Sequence, residues 1–549
     1  MREILTNVQV PKLGRGKASA LFLTVLCVLT VAVLAVVFGR GISHSGAFVN
    51  DSFVFFDGID RIAAGQVPNK DFLSPVGPLP YLLPYYGYLI VGGYSGAVEM
   101  ASLLLLVPVL LCAAVFLYNA TSPAAALLII GTIAGVIVVP LVPGENAELM
   151  SHAMQYNRWG WGLLLAVFLL GLPPHNGGRW IVLVSTLGAV LLSALFLTKV
   201  TYFIFAVGYL GLLVIFPDPR RWIGIASLLI GAVMLGLIAL LQSEMVLGYI
   251  GSIQEALQAD GPQRDPYFTV AFGSRTTLIF LVLAAYCILL QRLAWREILL
   301  AGFIAMSGII IIDQNYQWKF IVTIPAAFVI LASSTNRQSE AGQNSASVAI
   351  AACYLALLPF VVDWAQVTLK HLMPGAASAA QFESPELAKM YVEDHGEVLS
   401  GGKIFHDGPV DVQALLQGRV DILPLSQLEY VASLNDGAKL LRSAGAVDAE
   451  VFTLDFTNAL ALLVDSPREM NGYSWLHFGR NVSEETLPPA SEFFEGAGYV
   501  MVPLSTLTGT SVRKLIALYG QDLINRTSEV AQSPYWVLLK FNATQPTAG

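Results

Sequence analysis

The sequence predicts a polytopic α-helical membrane protein with a C-terminal α/β domain in water. Three observations carry this. Of 549 residues, 55% are hydrophobic and 12% charged, and the mean hydropathy is +0.66. A chain of that composition cannot hide its apolar surface from water, so the bilayer is its solvent. Up to Val362 the apolar residues form runs of about 16 to 22, the length that crosses a hydrocarbon core. From Asp363 the runs stop and charges take an ordinary frequency. The expected division is a membrane domain over 1–362 and an extracytoplasmic domain over 363–549. The net charge of -8 argues against nucleic acid as a partner.

Expected spans are Ala18–Gly39, Val98–Tyr118, Ala124–Val142, Trp159–Leu172, Trp180–Leu197, Tyr202–Phe216, Trp222–Leu241, Thr277–Leu290, Ile298–Ile312, Phe320–Ala332 and Val348–Val362, about eleven in all. The first lacks a small-residue cleavage site and is expected to be retained. Pro78–Val91 is apolar but short, and rich in proline and tyrosine, which suits an interfacial or re-entrant helix. Cys27, Cys112, Cys287 and Cys353 all lie in apolar runs, which marks them as small core residues with no disulfide frame.

Arg2, Lys12, Arg15 and Lys17 place the N-terminus in the cytoplasm. Alternation then puts Arg179, Arg220, Arg221, Arg292, Arg296 and Arg337 inside. The loop after the first span, Glu145–Arg158, Ser243–Arg275, Asp313–Lys319 and the whole tail fall outside. This describes an integral protein of an inner or plasma membrane whose C-terminal domain is periplasmic or extracellular. Ser333–Ser347 reads as a polar linker and Ala376–Ala380 as the join to the tail.

Three cations defy the inside bias: Arg158 in MQYNRWGW, Lys199 in FLTKVTYF and Lys319 in DQNYQWKF. Near span ends such residues can simply snorkel to headgroups. All three are flanked by aromatics on one expected side, which is what binding of a lipid phosphate needs. On that side lie Asp51, Asp71, Glu145, Glu148, His152, Tyr156, Asp313 and Gln317, candidates for substrate contact.

Ser52–Ala64 places Phe53, Phe56, Ile59 and Ile62 on one face, with Asp57, Asp60 and Arg61 on another. That is an amphipathic helix on the membrane surface, with an Asp57–Arg61 pair four residues apart. Asp57 and Asp60 read as solvated charges. Asp51 stands just ahead of this helix. It is either an N-cap or a carboxylate at the lip of a cavity, able to act as general base.

In the tail, KIFHDG, EVFTLDFTNALALLV, GYVMVPL and YWVLLKF read as strands, ELAKMYVEDHG and VRKLIALYG as helices. His406, Asp407 and His477 read as structural. DFTNALALLVDSP and WLHFGR are candidate acceptor contacts.

The stretch Asn50–Leu79 resembles the GT-C superfamily of membrane glycosyltransferases that use polyprenyl-phosphate sugars, such as protein O-mannosyltransferases and the lipid A aminoarabinose transferase. The shared features are an acidic residue soon after the first span, a juxtamembrane helix and a return of the form G-x-P-x-x-D-F…GP-L. They stand here as Asn50–Asp51, then Gly65 to Phe72, then Gly77-Pro78-Leu79. The resemblance implies that Asp51 is the catalytic base and that Asp71 matches a second loop acid. Phe53–Phe56 depart from the family, which usually has Tyr or Arg there. It implies a single displacement with inversion, from a polyprenyl-phosphate sugar to a hydroxyl on a lipid, glycan or protein. The phosphate would be held by Arg158, Lys199 and Lys319, assigned from position and charge alone. No cofactor is required. A divalent cation could be bound by Asp51, Glu145, Glu148 and His152, although no metal site is expected.

Two other classes share these features. A transporter or flippase of a polyisoprenoid-linked sugar would place charges near span centres, where they are scarce here. A polysaccharide polymerase or ligase using a diphosphate donor has the same geometry.

Overall fold

The computed structural model describes residues 15–118, 122–172, 178–259, 281–282, 285, 295–315, 321–333, 340–373, 381–393, 406, 408–468, 470 and 472–542. It shows an integral membrane protein by the composition of its helices. Six are long and apolar enough to cross a membrane: Ser19–Phe38, Ala97–Leu117, Gly178–Thr198, Arg220–Leu241, Trp295–Ile312 and Ile350–Leu372. Pro123–Val138 and Val200–Val214 are shorter and equally apolar. Most of Thr277–Leu290 and the start of Phe320–Ala332 lie outside the described residues.

In chain order the helices are α1 (Arg15–Phe38), α2 (Val49–Ala63), α3 (Leu79–Val91), α4 (Ala97–Leu117), α5 (Pro123–Val138), α6 (Gln155–Phe168), α7 (Gly178–Thr198), α8 (Val200–Val214), α9 (Arg220–Leu241), α10 (Ser243–Gln258), α11 (Trp295–Asn315), α12 (Ile324–Ser333) and α13 (Glu340–Leu372). Helix α13 starts inside the expected polar linker. It also runs ten residues past Val362, carrying Pro359 within it. The core is centred on α6, whose Trp159 and Trp161 are fully buried. Helix α3 has 13 residues, about 20 Å, against a hydrocarbon core of about 30 Å. It packs on α4 and α2.

Helix α2 departs from expectation. It begins at Val49, so Asp51 lies in its first turn, and Phe48 is the N-cap residue. It is enclosed on nearly every side, with Phe53, Phe55, Phe56 and Ile59 at most 1% exposed, where a surface helix would leave one face in water. Gly58 allows this: a Cβ there would sit 2.2 Å from the Tyr81 ring of α3. Asp57 is therefore no solvated charge. Its carboxylate accepts a hydrogen bond from Arg61 Nε at 2.7 Å, both side chains being buried.

The C-terminal domain centres on a four-stranded sheet ordered β4 (Val451–Thr453), β5 (Tyr499–Pro503), β8 (Trp536–Phe541), β7 (Thr527–Gln532). β4 and β5 are parallel and the other neighbours antiparallel. The twofold alternation of strand side chains decides its layers. Val500, Val502, Val537 and Leu539 pack with Val512, Leu515 and Ile516 of a helix over Gly509–Arg526. Met501, Trp536 and Leu538 join Tyr430 and Leu434 of a helix over Gln427–Ser443. GYVMVPL and YWVLLKF form strands as expected. EVFTLDFTNALALLV is a short strand and then a helix over Ala459–Val464. Of ELAKMYVEDHG, Glu386–Glu393 are no helix: they hold the end of a 3-10 turn over Pro385–Leu387 and β2 (Met390–Val392), while Asp394–Gly396 lie outside the described residues. That strand pairs in parallel with β1 (Ser43–Ser45), just after the first span, and partner-strand bonds outweigh helix propensity there. VRKLIALYG lies inside a helix that continues past Gly520 to Arg526.

This domain is stitched to the loop that follows α2. Leu73 N donates to Gly472 O at 2.9 Å and Ser474 N to Leu73 O at 3.1 Å. Arg468 Nη1 stands 3.5 Å from Asp57 Oδ1, and its Nε pairs with Asp60.

Arg468→Ala would leave Asp57 and Asp60 without this partner. Removing one member of a buried pair costs about 3 kcal/mol. The expected result is a lowered thermal midpoint in detergent and faster proteolytic release of the C-terminal domain, both measurable on the purified chain.

Candidate active site

The loop from Ser74 to Val76 is held by Asn69, whose Nδ2 donates to Ser74 O at 2.8 Å and Val76 O at 3.0 Å. Gly77 then presses on the end of α7: an added Cβ would lie 2.1 Å from Leu197 O, and Gly77 N donates to Thr198 O at 3.0 Å. This close approach, open only to glycine, brings Pro75 and Val76 beside Lys199.

Here a cavity of about 310 Å³ opens. Its polar wall comprises Asp51, Tyr156, Lys199, Thr201, His477, Arg480 and Asn481. Its apolar wall includes Val54, Phe55, Met154, Ile253, Leu257 and Trp475. Asp51 arrives from the first turn of α2 and Tyr156 from that of α6. Both helices start from a non-glycine residue in the left-handed region, Phe48 and Met154, each at φ 51°. Such residues cost about 1 kcal/mol and cluster at functional sites.

Lys199 ends α7 and opens α8. Its Nζ donates to Asn157 Oδ1 at 3.0 Å and lies 5.4 Å from the Tyr156 ring centroid. Tyr156 in turn stacks on Trp475 with an interplanar angle of 9°. Arg480 comes from the C-terminal domain. Among the described residues its guanidinium touches the Met154 sulfur, 3.9 Å away, which leaves its fork of donors available to an anion.

Burial pushes the Asp51 carboxyl up to about 7, although Arg480 pulls it down. The cost of desolvating the charge exceeds that attraction. His477 is held down at about 4 by burial and by the Arg480 charge. It is therefore neutral at physiological pH. Burial and the Arg480 charge also pull the Lys199 ammonium down to about 7, so Arg480 is the permanent cation of the cavity and Lys199 becomes fully charged when an anion enters beside it.

The structure brings together Asp51, Tyr156 and Lys199 from the expected set. Arg158 is not in the cavity wall. Its guanidinium is fully buried and spent on Gln155 Oε1 at 2.7 Å, Ser151 O at 2.7 Å and Ala153 O at 3.2 Å. It braces the turn before α6, because that turn leaves carbonyls needing donors. His152 is also buried elsewhere, between Ser52 Oγ at 3.1 Å and Glu99 Oε1 at 2.9 Å. Asp71 accepts from Val67 N at 2.8 Å and shapes the loop. Glu145 is half-buried, Glu148 is exposed, and neither lines the cavity. No three His, Cys, Asp or Glu side chains converge as a metal site among the described residues. Lys319 and Gln317 lie outside the described residues, as does the Asp313 side chain.

Trp475, His477 and Arg480 are the contribution of WLHFGR. The signal was a run mixing aromatic, imidazole and guanidinium groups ahead of a polar turn. Its position about 430 residues from Asp51 hid the partnership.

Fold and site define an integral membrane protein with an anion-attracting, carboxylate-bearing cavity between its helices and its C-terminal domain. No protein-family model matches the chain, and no curated protein matches its sequence. Among solved structures it is similar to ArnT from Cupriavidus metallidurans bound to undecaprenyl phosphate, at 14% identity and a TM-score of 0.46, over 95% of this chain and 98% of that one. It is also similar to the apo state of the same protein, at 14% identity and a TM-score of 0.44, over 93% and 97%.

Arg158→Ala would strip three acceptors of their donor and is expected to cost about 3 kcal/mol of stability. Arg480→Ala is expected to leave the unfolding free energy within about 0.5 kcal/mol of the parent. Thermal unfolding of both variants separates the bracing cation from the cavity cation.

Proposed function

We propose that the protein is an inverting glycosyltransferase. It moves a sugar from a polyprenyl-phosphate donor to a hydroxyl acceptor on an envelope lipid, glycan or protein, at the extracytoplasmic face. One observation carries the reading: Asp51 shares a single cavity with Lys199 and Arg480.

The carboxylate and the cations suit opposite ends of one displacement. The acceptor oxygen attacks the anomeric carbon while Asp51 takes its proton. The bond from that carbon to the phosphate oxygen breaks, and the electron pair leaves on polyprenyl phosphate. Arg480 can grip that phosphate as a fork and Lys199 as a point charge, which stabilises charge as it develops. A carboxyl near pH 7 is matched to general-base work at neutral pH. Val54, Phe55, Ile253 and Leu257 offer the apolar wall a polyprenyl chain needs. Asn50–Leu79, with its resemblance to the GT-C superfamily, supports the same role for Asp51. No metal or other cofactor enters the proposed reaction, since the leaving charge is met by side chains.

Asp51→Asn is expected to lower transfer about a thousandfold, while binding of undecaprenyl phosphate persists. Release of radiolabelled sugar from a polyprenyl-phosphate donor measures the first, and tryptophan quenching the second. Movement of the donor across liposomes with no bond cleaved would instead make the protein a transporter.

The base must be ionised to work, so kcat/KM should climb tenfold per pH unit below about 7, and because burial and Arg480 hold Lys199 down to about 7 it should fall again at higher pH as that ammonium loses its proton. Arg480→Ala and Lys199→Ala should each weaken undecaprenyl phosphate binding about tenfold or more. Unchanged affinity in both variants would remove the phosphate from this cavity.

A further inference from the structure

Beside the first cavity lies a second, of about 380 Å³. The two share a partition. Phe456 lines both. Helix α10 gives Ile253 and Ala256 to the first and Glu255 to the second. Along the extended segment stitched to Leu73, Tyr473 and Leu476 line the second, Trp475 and His477 the first.

Their chemistry is opposite. The second cavity is lined by Glu255, Asp455, Glu492 and Glu495, and among the described residues it has no Lys, Arg or His. Asp455 is already engaged by Thr506 Oγ1 at 2.8 Å, by Thr508 Oγ1 at 2.5 Å and by Phe456 N at 2.7 Å. The other three carboxylates are not so enclosed. Phe452, Tyr473 and Phe493 supply ring faces. Thr457 also lines the cavity, only 3% exposed. Its buried hydroxyl has no hydrogen-bond partner among the described residues. A buried hydroxyl left unpaired is costly, and a ligand in this cavity would complete it.

We propose that this second cavity is a sugar subsite, holding a neutral or amine-bearing pyranose ring of the acceptor. The inference rests on the glycosyltransferase reading. Carboxylates accept hydrogen bonds from hydroxyl and ammonium groups and repel phosphate. Aromatic faces cover the C–H face of a sugar ring, and the volume lies within the range of small-molecule sites. The protein thus sorts its substrates by charge: the anionic lipid goes to the Lys199–Arg480 side, the uncharged or cationic sugar to the Glu255–Glu492 side. Phe456 is the shared wall across which the acceptor hydroxyl would reach toward Asp51.

The test is saturation-transfer NMR on the full-length protein in detergent, with methyl glucoside, methyl glucosaminide and glucose 6-phosphate as probes. The first two are expected to bind, the phosphorylated sugar at least tenfold more weakly. Thr457→Val exchanges the unpaired hydroxyl for a methyl of the same shape and should fold normally. It and Glu492→Gln are each expected to weaken binding about tenfold, while Arg480→Ala leaves it unchanged. Failure of every probe, equal binding of the phosphorylated sugar, or indifference to both cavity variants would overturn the proposal. So would displacement of a probe by undecaprenyl phosphate bearing the same sugar, since the cavity would then hold the donor's own ring. Loss of undecaprenyl phosphate binding with the sugar signal intact would instead strike the donor reading alone.

Discussion

The segment from Arg468 to Asn481 must lie along the loop from Gln66 to Gly77, and the site depends on that placement. The backbone bonds between Leu73 and its partners Gly472 and Ser474 set the register. The Tyr81 hydroxyl stands 2.8 Å from Ser474 Oγ and 2.7 Å from Ser74 Oγ, joining α3 to both strands of this contact. Arg468 anchors one end on Asp57 and Asp60. The other end then delivers Trp475, His477 and Arg480 to the cavity. A one-residue slip would put Leu476 where Trp475 and His477 face the first cavity, because successive side chains along an extended chain point to opposite sides. The register therefore separates cationic from acidic chemistry.

The fates of three arginines show how partner supply decides the role of a charge. Arg158 and Arg61 are both fully buried, and each is surrounded by acceptors from its own neighbourhood. A guanidinium whose donors are met cannot also bind substrate without losing them. Among the described residues the acceptor that Arg480 meets is a thioether, which accepts weakly. Its interaction capacity is kept for something that enters the cavity. The Asp51 carboxyl shows the same economy from the acidic side. It is raised toward neutrality because its surroundings supply too little positive charge to offset burial.

Composition and span-length runs made the membrane domain legible, since a bilayer demands long apolar helices whatever the fold. The strands over Tyr499–Pro503 and Trp536–Phe541 were legible because their unbroken apolar runs match a sheet covered on both faces. Asp51, Tyr156 and Lys199 were legible as polar groups at the ends of apolar segments. Arg158 looked the same by that criterion. What separates it from Lys199 is the turn of Ser151 and Ala153 that consumes its donors, a tertiary fact with no local signature. Arg480 was legible only as part of WLHFGR, a candidate acceptor contact in an ordinary soluble segment, and only long-range pairing places it beside Lys199. Asp57 was misjudged because helical periodicity shows which residues share a face but not what covers that face.

The first turn of α2 carries the remaining burden, since it must hold Asp51 steady in a site that disfavours its charge. Phe48, in the N-cap position, has no side-chain acceptor to offer the opening amides. Gln427 of the C-terminal domain supplies one instead, accepting from Val49 N at 2.9 Å through its Oε1. On the side away from the cavity, Ser52 meets His152, and His152 meets Glu99. Glu99 Oε2 in turn accepts from Ser43 Oγ at 3.0 Å, on the strand that pairs with Met390–Val392. His152 thus belongs behind the site, as a positioning residue in a polar chain that ties the turn to α4 and to β1. A helix start capped from one domain and braced by another is correctly formed only when the two are docked. Assembly of the candidate base and delivery of Arg480 are consequences of the same docking.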